Sequence, residues 1–204
     1  AAHRSYQLGL YWTLANHPRV PAAVRERVSA WGLPKDEFVE NGNWSPQLYV
    51  REARRMVGQL VMKQHHAESR EVAADSVGMA AYGMDSHHVQ RYVDANGFAR
   101  NEGNVEAHVE RPYPIGRGAL LPVEGEAENL IVPVCVSATH IAYGSIRMEP
   151  VFMVLGQSAA TMAVHALEEN RTPGAVDYVR LAERLRADGQ VLELSDAVGM
   201  AAQP

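Results

Sequence analysis

The stretch NLIVPVCVSATHIAYGSIRMEPVFMVLGQSAATMAVHALEE, residues 129–169, organises the reading of the chain. Residues 130–136 form an apolar run of the length of one buried strand. Residues 137–147 are small and polar and read as a loop. Pro150 then opens a segment that is apolar almost all round. Proline is favoured at the first position of a helix, where its missing N–H leaves nothing unpaired. Strand, polar turn and buried helix together can present backbone N–H groups and a positive helix end to an anionic ligand. Gly144 would let such a ligand approach the backbone, and Arg147 adds a positive charge. The N–H groups from Ser145 to Val151 face the same place, Pro150 excepted. An ordinary capped helix after a tight turn accounts for the same residues, so the pattern alone leaves both readings open.

Further along that helix, Gly156, Ala159, Ala160 and Ala163 recur at spacings of three and four. Such a strip suits close contact with a backbone or an exposed patch. Gln157, Thr161, His165 and Glu168 form a narrow polar stripe. A buried helix packed on a sheet is the preferred reading, and none of these side chains needs a catalytic role.

Length and composition bound the class. The chain has 204 residues, 47% apolar and 21% charged, which suits one globular domain or a little more. The net charge of −5 argues against a nucleic-acid surface, which would need clustered Lys and Arg. The single cysteine, Cys135, forms no internal disulfide and points weakly to a cytoplasmic setting. No stretch reaches 18 uninterrupted apolar residues, so a membrane role is not expected. The chain opens at Ala1 in helix-like sequence with no signal peptide, and an upstream leader or domain is left open.

Elsewhere, residues 4–16 read as a helix with Tyr6, Leu10, Thr13 and Leu14 near one face, ended by His17-Pro18. A second helix starts at Pro21, carries Val24, Val28 and Trp31, and stops at Gly32. Residues 33–48 are loop-like, with a turn at Asn41-Gly42-Asn43. Val57, Leu60, Val61 and Met62 suit a strand or a helix equally. Residues 68–74 suggest a short helix, residues 77–93 are strand-rich, and residues 95–118 are mostly loop. Residues 170–174 break the chain before an amphipathic helix over residues 177–187, with Leu181 and Leu185 four apart. The whole is a mixed α/β chain.

Two further groups could carry chemistry. In Met84-Asp85-Ser86-His87-His88 a carboxylate stands beside two histidines, which suits proton transfer. Adjacent histidines on a strand point to opposite sides, so one of the two would face a pocket. A metal is the rival, but no HExxH or CxxC accompanies them, and none is expected. His65-His66, flanked by Gln64, Glu68 and Arg70, read as solvated. Arg51, Arg54 and Arg55 with Glu52 suit either a surface charge network or recognition of a carboxylate or phosphate. No G-x-G-x-x-G follows a strand, and no Walker loop or G-x-S-x-G elbow occurs.

Taken together, YVREARRMVGQLVM, DSVGMAAYGMDSHHVQRYV, PYPIGRGALLP and ENLIVPVCVSATHIAYGSIRMEPVFMVLGQSAAT resemble the C-terminal half of FAD-dependent oxidoreductases of the glutathione-reductase-like superclass. The nearest of these are bacterial proteins, some carrying a xanthan lyase label. The resemblance runs in order over most of residues 5–195, with RExRRxVG as a second anchor. It implies that residues 130–136 rejoin an FAD-binding Rossmann-like sheet and that residues 137–147 pass beside the isoalloxazine. Cofactor contacts would then come from Ser137, Ala138, Thr139, His140, Gly144, Ser145, Ile146, Arg147, Met148 and Val151. Backbone N–H groups around Ser145 to Met148 and Val151 would stabilise negative charge on a reduced flavin. Val134-Cys135 stands where many relatives have Gly-Asp or Gly-Arg, and the ribityl contact of the acidic version is not expected here.

On this resemblance the chain divides into a substrate-side or cap region (1–128), a closing strand–loop–helix of the FAD domain (129–172), and a C-terminal helix and tail (173–204). The Rossmann half is missing, so this portion alone is expected to be inactive and to bind FAD weakly or not at all. The leading expectation is hydride transfer between flavin and a small-molecule or carbohydrate substrate. His87 or His88 would move the proton and Arg54 or Arg55 would bind an anionic substrate. One alternative is a polysaccharide lyase with His87 as base and Arg55 as neutralising group. Another is a non-catalytic binding or assembly domain. Apolar faces left by a missing half make self-association an expectation as well.

Overall fold

The structure is a computed structural model and describes residues 2–47 and 54–201. Contacts divide the chain into two units, Ala1–Tyr49 and Val50–Pro204. Each is described by itself.

In the first unit, α1 (Ala2–Asn16) and α2 (Ala22–Ser29) pack on each other. α1 stops where expected, because a residue before proline, here His17, avoids the helical region. α2 follows Pro21, whose extended ψ of 141° turns the chain into the helix. Gly42 and Asn43 take left-handed φ angles of 63° and 59°, as the Asn-Gly-Asn turn predicts. No described residue of this unit is buried. Instead Trp12, Trp31, Trp44, Tyr11 and Phe38 line a cleft of about 860 Å³. Arg4 stacks over Trp44 at 5.3 Å, which shields one face of that indole.

The second unit holds the core. Its strands form three antiparallel ribbons of two strands each. β1 (Ser76–Ala80) pairs with β6 (Tyr113–Gly116), β2 (Met84–Ser86) with β5 (Val105–Ala107), and β3 (Gln90–Val93) with β4 (Ala99–Glu102). Three of these six strands fall in the region read as loop, residues 95–118. Two of its glycines, Gly97 and Gly103, sit at turns with φ of 85° and 97° and leave room for short strands around them. The β3–β4 hairpin is exposed along its whole length.

Four helices complete this core: α3 (Gln64–Ala67), α4 (His140–Ile146), α5 (Glu149–Glu168) and α6 (Tyr178–Ala187). A last helix, α7 (Leu194–Ala201), lies in a stretch for which no helix was expected. α5 packs on β1 and α6, with Leu155, Ser158 and Met162 fully buried at helical spacing. Pro150 is its second residue rather than its first, still within the turn whose N–H groups have no helical partner. The helix is less buried than its composition suggests, since Met153 and Leu167 are 75% and 81% exposed. By length and composition alone it could cross a membrane, with 33% of that window buried in the protein. α6 begins at Asp177, whose carboxylate accepts from the N–H groups of Val179 and Arg180.

Three expectations are corrected. Residues 130–136 form no strand, and the chain bends at 133–135. A strand needs a continuous neighbour, and this run has only scattered backbone bonds: Val132 N–H to Leu120 O and Met56 N–H to Cys135 O. Residues 137–147 are not a loop, because Thr139 caps a helix over His140–Ile146. Gly144 and Ser145 are poor helix formers in isolation, but Ala142, Tyr143 and Ile146 bury one face, and packing overrides propensity. Residues 54–63 are neither helix nor strand. They carry only two isolated bridges, Gly58 to Pro122 and Met62 to Ala138, with a bend between them.

The expected helix at 68–74 sits earlier, over Gln64–Ala67, and His66 belongs to it. His65 is exposed, but His66 is 2% exposed, so the solvated reading holds for one of the pair only. Lys63 N–H donates to His66 Nδ1 at 3.0 Å, and the Glu71 carboxylate lies 3.5 Å from Nε2. A ring that accepts at Nδ1 must be neutral there, and burial pushes its pKa below the ordinary 6.5, with Lys63 and His65 adding to the effect and Glu71 opposing it. The unfolded chain therefore binds this proton more readily than the folded one. Stability carried by His66 is full above pH 6.5 and is lost as pH falls towards the lower, folded value. Urea midpoints measured from about pH 8 to about pH 5 should drop more steeply for the native chain than for His66→Gln, whose amide oxygen accepts the same bond without titrating.

Candidate functional site

α4 is where the unit's polar side chains converge. β2 lies along it so that Ser86 meets its first residue and Asp85 the residue after its last. Ser86 Oγ is 2.7 Å from His140 Nε2. Arg147, the C-cap of α4, donates through Nη2 to both the backbone oxygen and the Oδ2 of Asp85, each at 3.1 Å. Arg147 is 8% exposed, so a buried guanidinium is matched to a carboxylate and a carbonyl. The same Asp85 carboxylate lies 3.6 Å from His87 Nε2.

This arrangement requires Gly144. A Cβ at that position would stand 2.6 Å from the backbone oxygen of Asp85. The glycine expected to admit a ligand thus admits β2 instead. Ser145, next to it, is fully buried and fully bonded. It accepts from the Tyr113 hydroxyl at 2.7 Å and donates to Tyr82 O at 2.5 Å. Burial pushes the Tyr113 phenol up to about 12, so it stays a neutral donor at physiological pH.

Arg55 braces the other flank. Its Nε donates to Ala138 O at 3.0 Å and its guanidinium stacks on the Tyr143 ring at 5.2 Å. Tyr143 in turn donates to Val134 O at 3.1 Å. Gly58 of the RExRRxVG anchor gives its N–H to Ser137 Oγ at 2.9 Å, and a Cβ there would meet Leu121 O at 2.4 Å. The anchor therefore holds residues 134–143 in place. Arg54 is exposed. Arg51 and Glu52 lie outside the described residues.

The expected residues are thus only partly brought together. His87, His140 and Arg147 share one cluster with Asp85 and Ser86. His87 and His88 both lie past the end of β2 and are both exposed, so the strand alternation expected to turn one of them inward does not apply, and His88 has no hydrogen bond among the described residues. Most of the nominated backbone donors are already used inside the chain: Ser137 N–H to Ala119 O, Thr139 N–H to Met62 O, Arg147 N–H to Tyr143 O and Met148 N–H to Ile146 O. Ser145 and Ile146 belong to the α4 ladder. The first turn of α5 is different, because no side chain caps it at Met148, and Glu149 and Pro150 are exposed. Val151 is 8% exposed behind them. Gly156 faces open space, as the small-residue strip predicts, but Ala159 of the same strip is 8% exposed and belongs to the apolar core, against that expectation. No group of three or more potential metal ligands occurs among the described residues.

Sequence reasoning missed the Ser86–His140 and Tyr113–Ser145 pairs. Both join residues far apart in the chain, and only the short spacing within Asp85-Ser86-His87 signalled that region. A family model described as FAD dependent oxidoreductase matches residues 1–185. No curated protein and no solved structure matches the chain.

Gly144→Ala should lower stability by about 1–3 kcal/mol, because backbone on both sides must shift. Gly156→Ala, in a helix with nothing near its Cβ, should raise it by up to about 1 kcal/mol. Thermal denaturation of the two variants checks both signs.

Proposed function

The chain belongs to the FAD-dependent oxidoreductase family, and on that premise we propose that its α4–α5 junction forms the substrate side of a flavin site. The reaction proposed is hydride transfer between FAD and a small-molecule or carbohydrate substrate. The observation that carries this reading is the buried Arg147 guanidinium on Asp85, whose carboxylate also lies 3.6 Å from the exposed His87, next to the uncapped start of α5.

The residues present fit one end of the cofactor. The exposed first turn of α5 offers a positive helix end at Glu149 and Val151, suited to the anionic side of a reduced flavin. The donors of Ser137, Thr139, Arg147 and Met148 are engaged elsewhere, so this role falls mainly to Val151. The pyrophosphate end is not provided for, since no Gly-rich strand–helix turn occurs in the sequence. We therefore take the 204 residues as the portion of a flavoprotein that closes over a cofactor held by a separate dinucleotide-binding part. Residues 130–136 support this. Leu130 and Val134 are each 46% exposed in an apolar run that lacks a strand neighbour, which a sheet from that part would supply.

When bound, FAD supplies the two-electron acceptor or donor that no side chain offers. This chain's residues handle the proton and the substrate. His87 exchanges a proton with the substrate oxygen while Asp85 orients its ring and Arg147 holds Asp85. Arg54, exposed beside the braced Arg55, offers the charge for an anionic substrate group.

The native protein, purified whole, is expected to carry the visible absorbance of bound flavin. The 204-residue chain alone should bind FAD at least about a hundredfold more weakly than that protein, having no pyrophosphate site. Absorbance and equilibrium dialysis measure the two. A whole protein that stays colourless after FAD is added contradicts the reading.

A further inference from the structure

Ser86 is 1% exposed, so its hydroxyl hydrogen must find an acceptor within the protein. Two are in reach: His140 Nε2 at 2.7 Å and the backbone oxygen of His87 at 3.5 Å. The first lies in the ordinary range for a hydroxyl bond and the second lies beyond it. The hydroxyl therefore points at His140. A neutral imidazole that accepts at Nε2 must carry its proton on Nδ1. Nδ1 has no hydrogen-bond partner among the described residues, and His140 is only partly buried.

We propose that Ser86 is a positioning residue that locks His140 in the Nδ1–H form, so that His140 is a fixed hydrogen-bond donor to a substrate oxygen and His87 is the group that takes up the proton. The two histidines then have separate tasks, set by their neighbours. His87 Nε2 faces the Asp85 carboxylate at 3.6 Å. His140 Nε2 faces the Ser86 hydroxyl at 2.7 Å. An alkoxide developing on the substrate would meet a donor and an acceptor of protons within one cluster.

The task given to His140 rests on the flavin reading, but its tautomer does not, and the tautomer is measured without cofactor. Nitrogen NMR of histidine-labelled protein, at a pH above the ordinary histidine range, distinguishes a protonated Nδ1 from a protonated Nε2. His140 should be Nδ1–H in the native sequence. Ser86→Ala should reduce the ratio of Nδ1–H to Nε2–H about fivefold, and Ser86→Thr, which keeps the hydroxyl, should restore it. His66 also accepts at Nδ1, and its Nε2–H signal serves as a folded-state control in every variant. An Nε2–H signal for His140 in the native sequence overturns the proposal, as does an unchanged ratio in Ser86→Ala with the His66 signal intact. Absence of flavin from the whole protein overturns the function proposed above and leaves the tautomer result standing.

Discussion

The close approach of β2 to α4 at Gly144 is the constraint on which the rest of this site depends. Only a residue without Cβ lets the Asp85 backbone lie against the helix. That contact brings Asp85 to Arg147 at one end of α4 and Ser86 to His140 at the other. Move the strand outward by the width of a methyl group and both pairs come apart. A buried arginine would then lose its carboxylate, which is far more costly than never having formed the pair. The glycine, the ion pair and the serine–histidine bond are one device.

Around that device the chain is tied together by long-range polar contacts rather than by a large sheet. Tyr113, Ser145 and Tyr82 O form one chain of hydrogen bonds, and Ser158, Gln190 and Val77 O form another between α5, the segment after α6 and β1. Each satisfies a polar group inside the core, where an unpaired one would be destabilising. The ribbons are too narrow to supply a core by themselves. α5 adds Val151, Leu155, Ala159, Met162 and Ala166 to it, and the ribbons, α4, α6 and the segments between them supply the rest.

Parts of this fold could be read from the residues. Proline and capping signals placed α1, α2 and α6 well, because His17-Pro18, Pro21 and Asp177 act locally. α4 was hidden, since its Gly144-Ser145 pair looks like a loop until β2 is present to pack on it. The run at 130–136 is apolar as read, but it forms no strand and bends at 133–135, because pairing is a property of the neighbour and not of the run. The same limit applied to the site. Asp85 beside His87 was visible as a local motif. Its partner Arg147 lies 62 positions away and Ser86's partner His140 lies 54 away, and no periodicity in a single sequence joins them.

The central claim is that the α4–α5 junction faces flavin. Hydrogen-exchange mass spectrometry of the whole protein, with FAD bound and after its removal, tests this most directly. Exchange should be slower with FAD in peptides covering the first turn of α5, above all at Val151, and in the apolar run at 130–136. No change is expected at Arg147 and Met148, whose amides are already bonded within the chain. Equal exchange with and without FAD across residues 130–155 would contradict the claim.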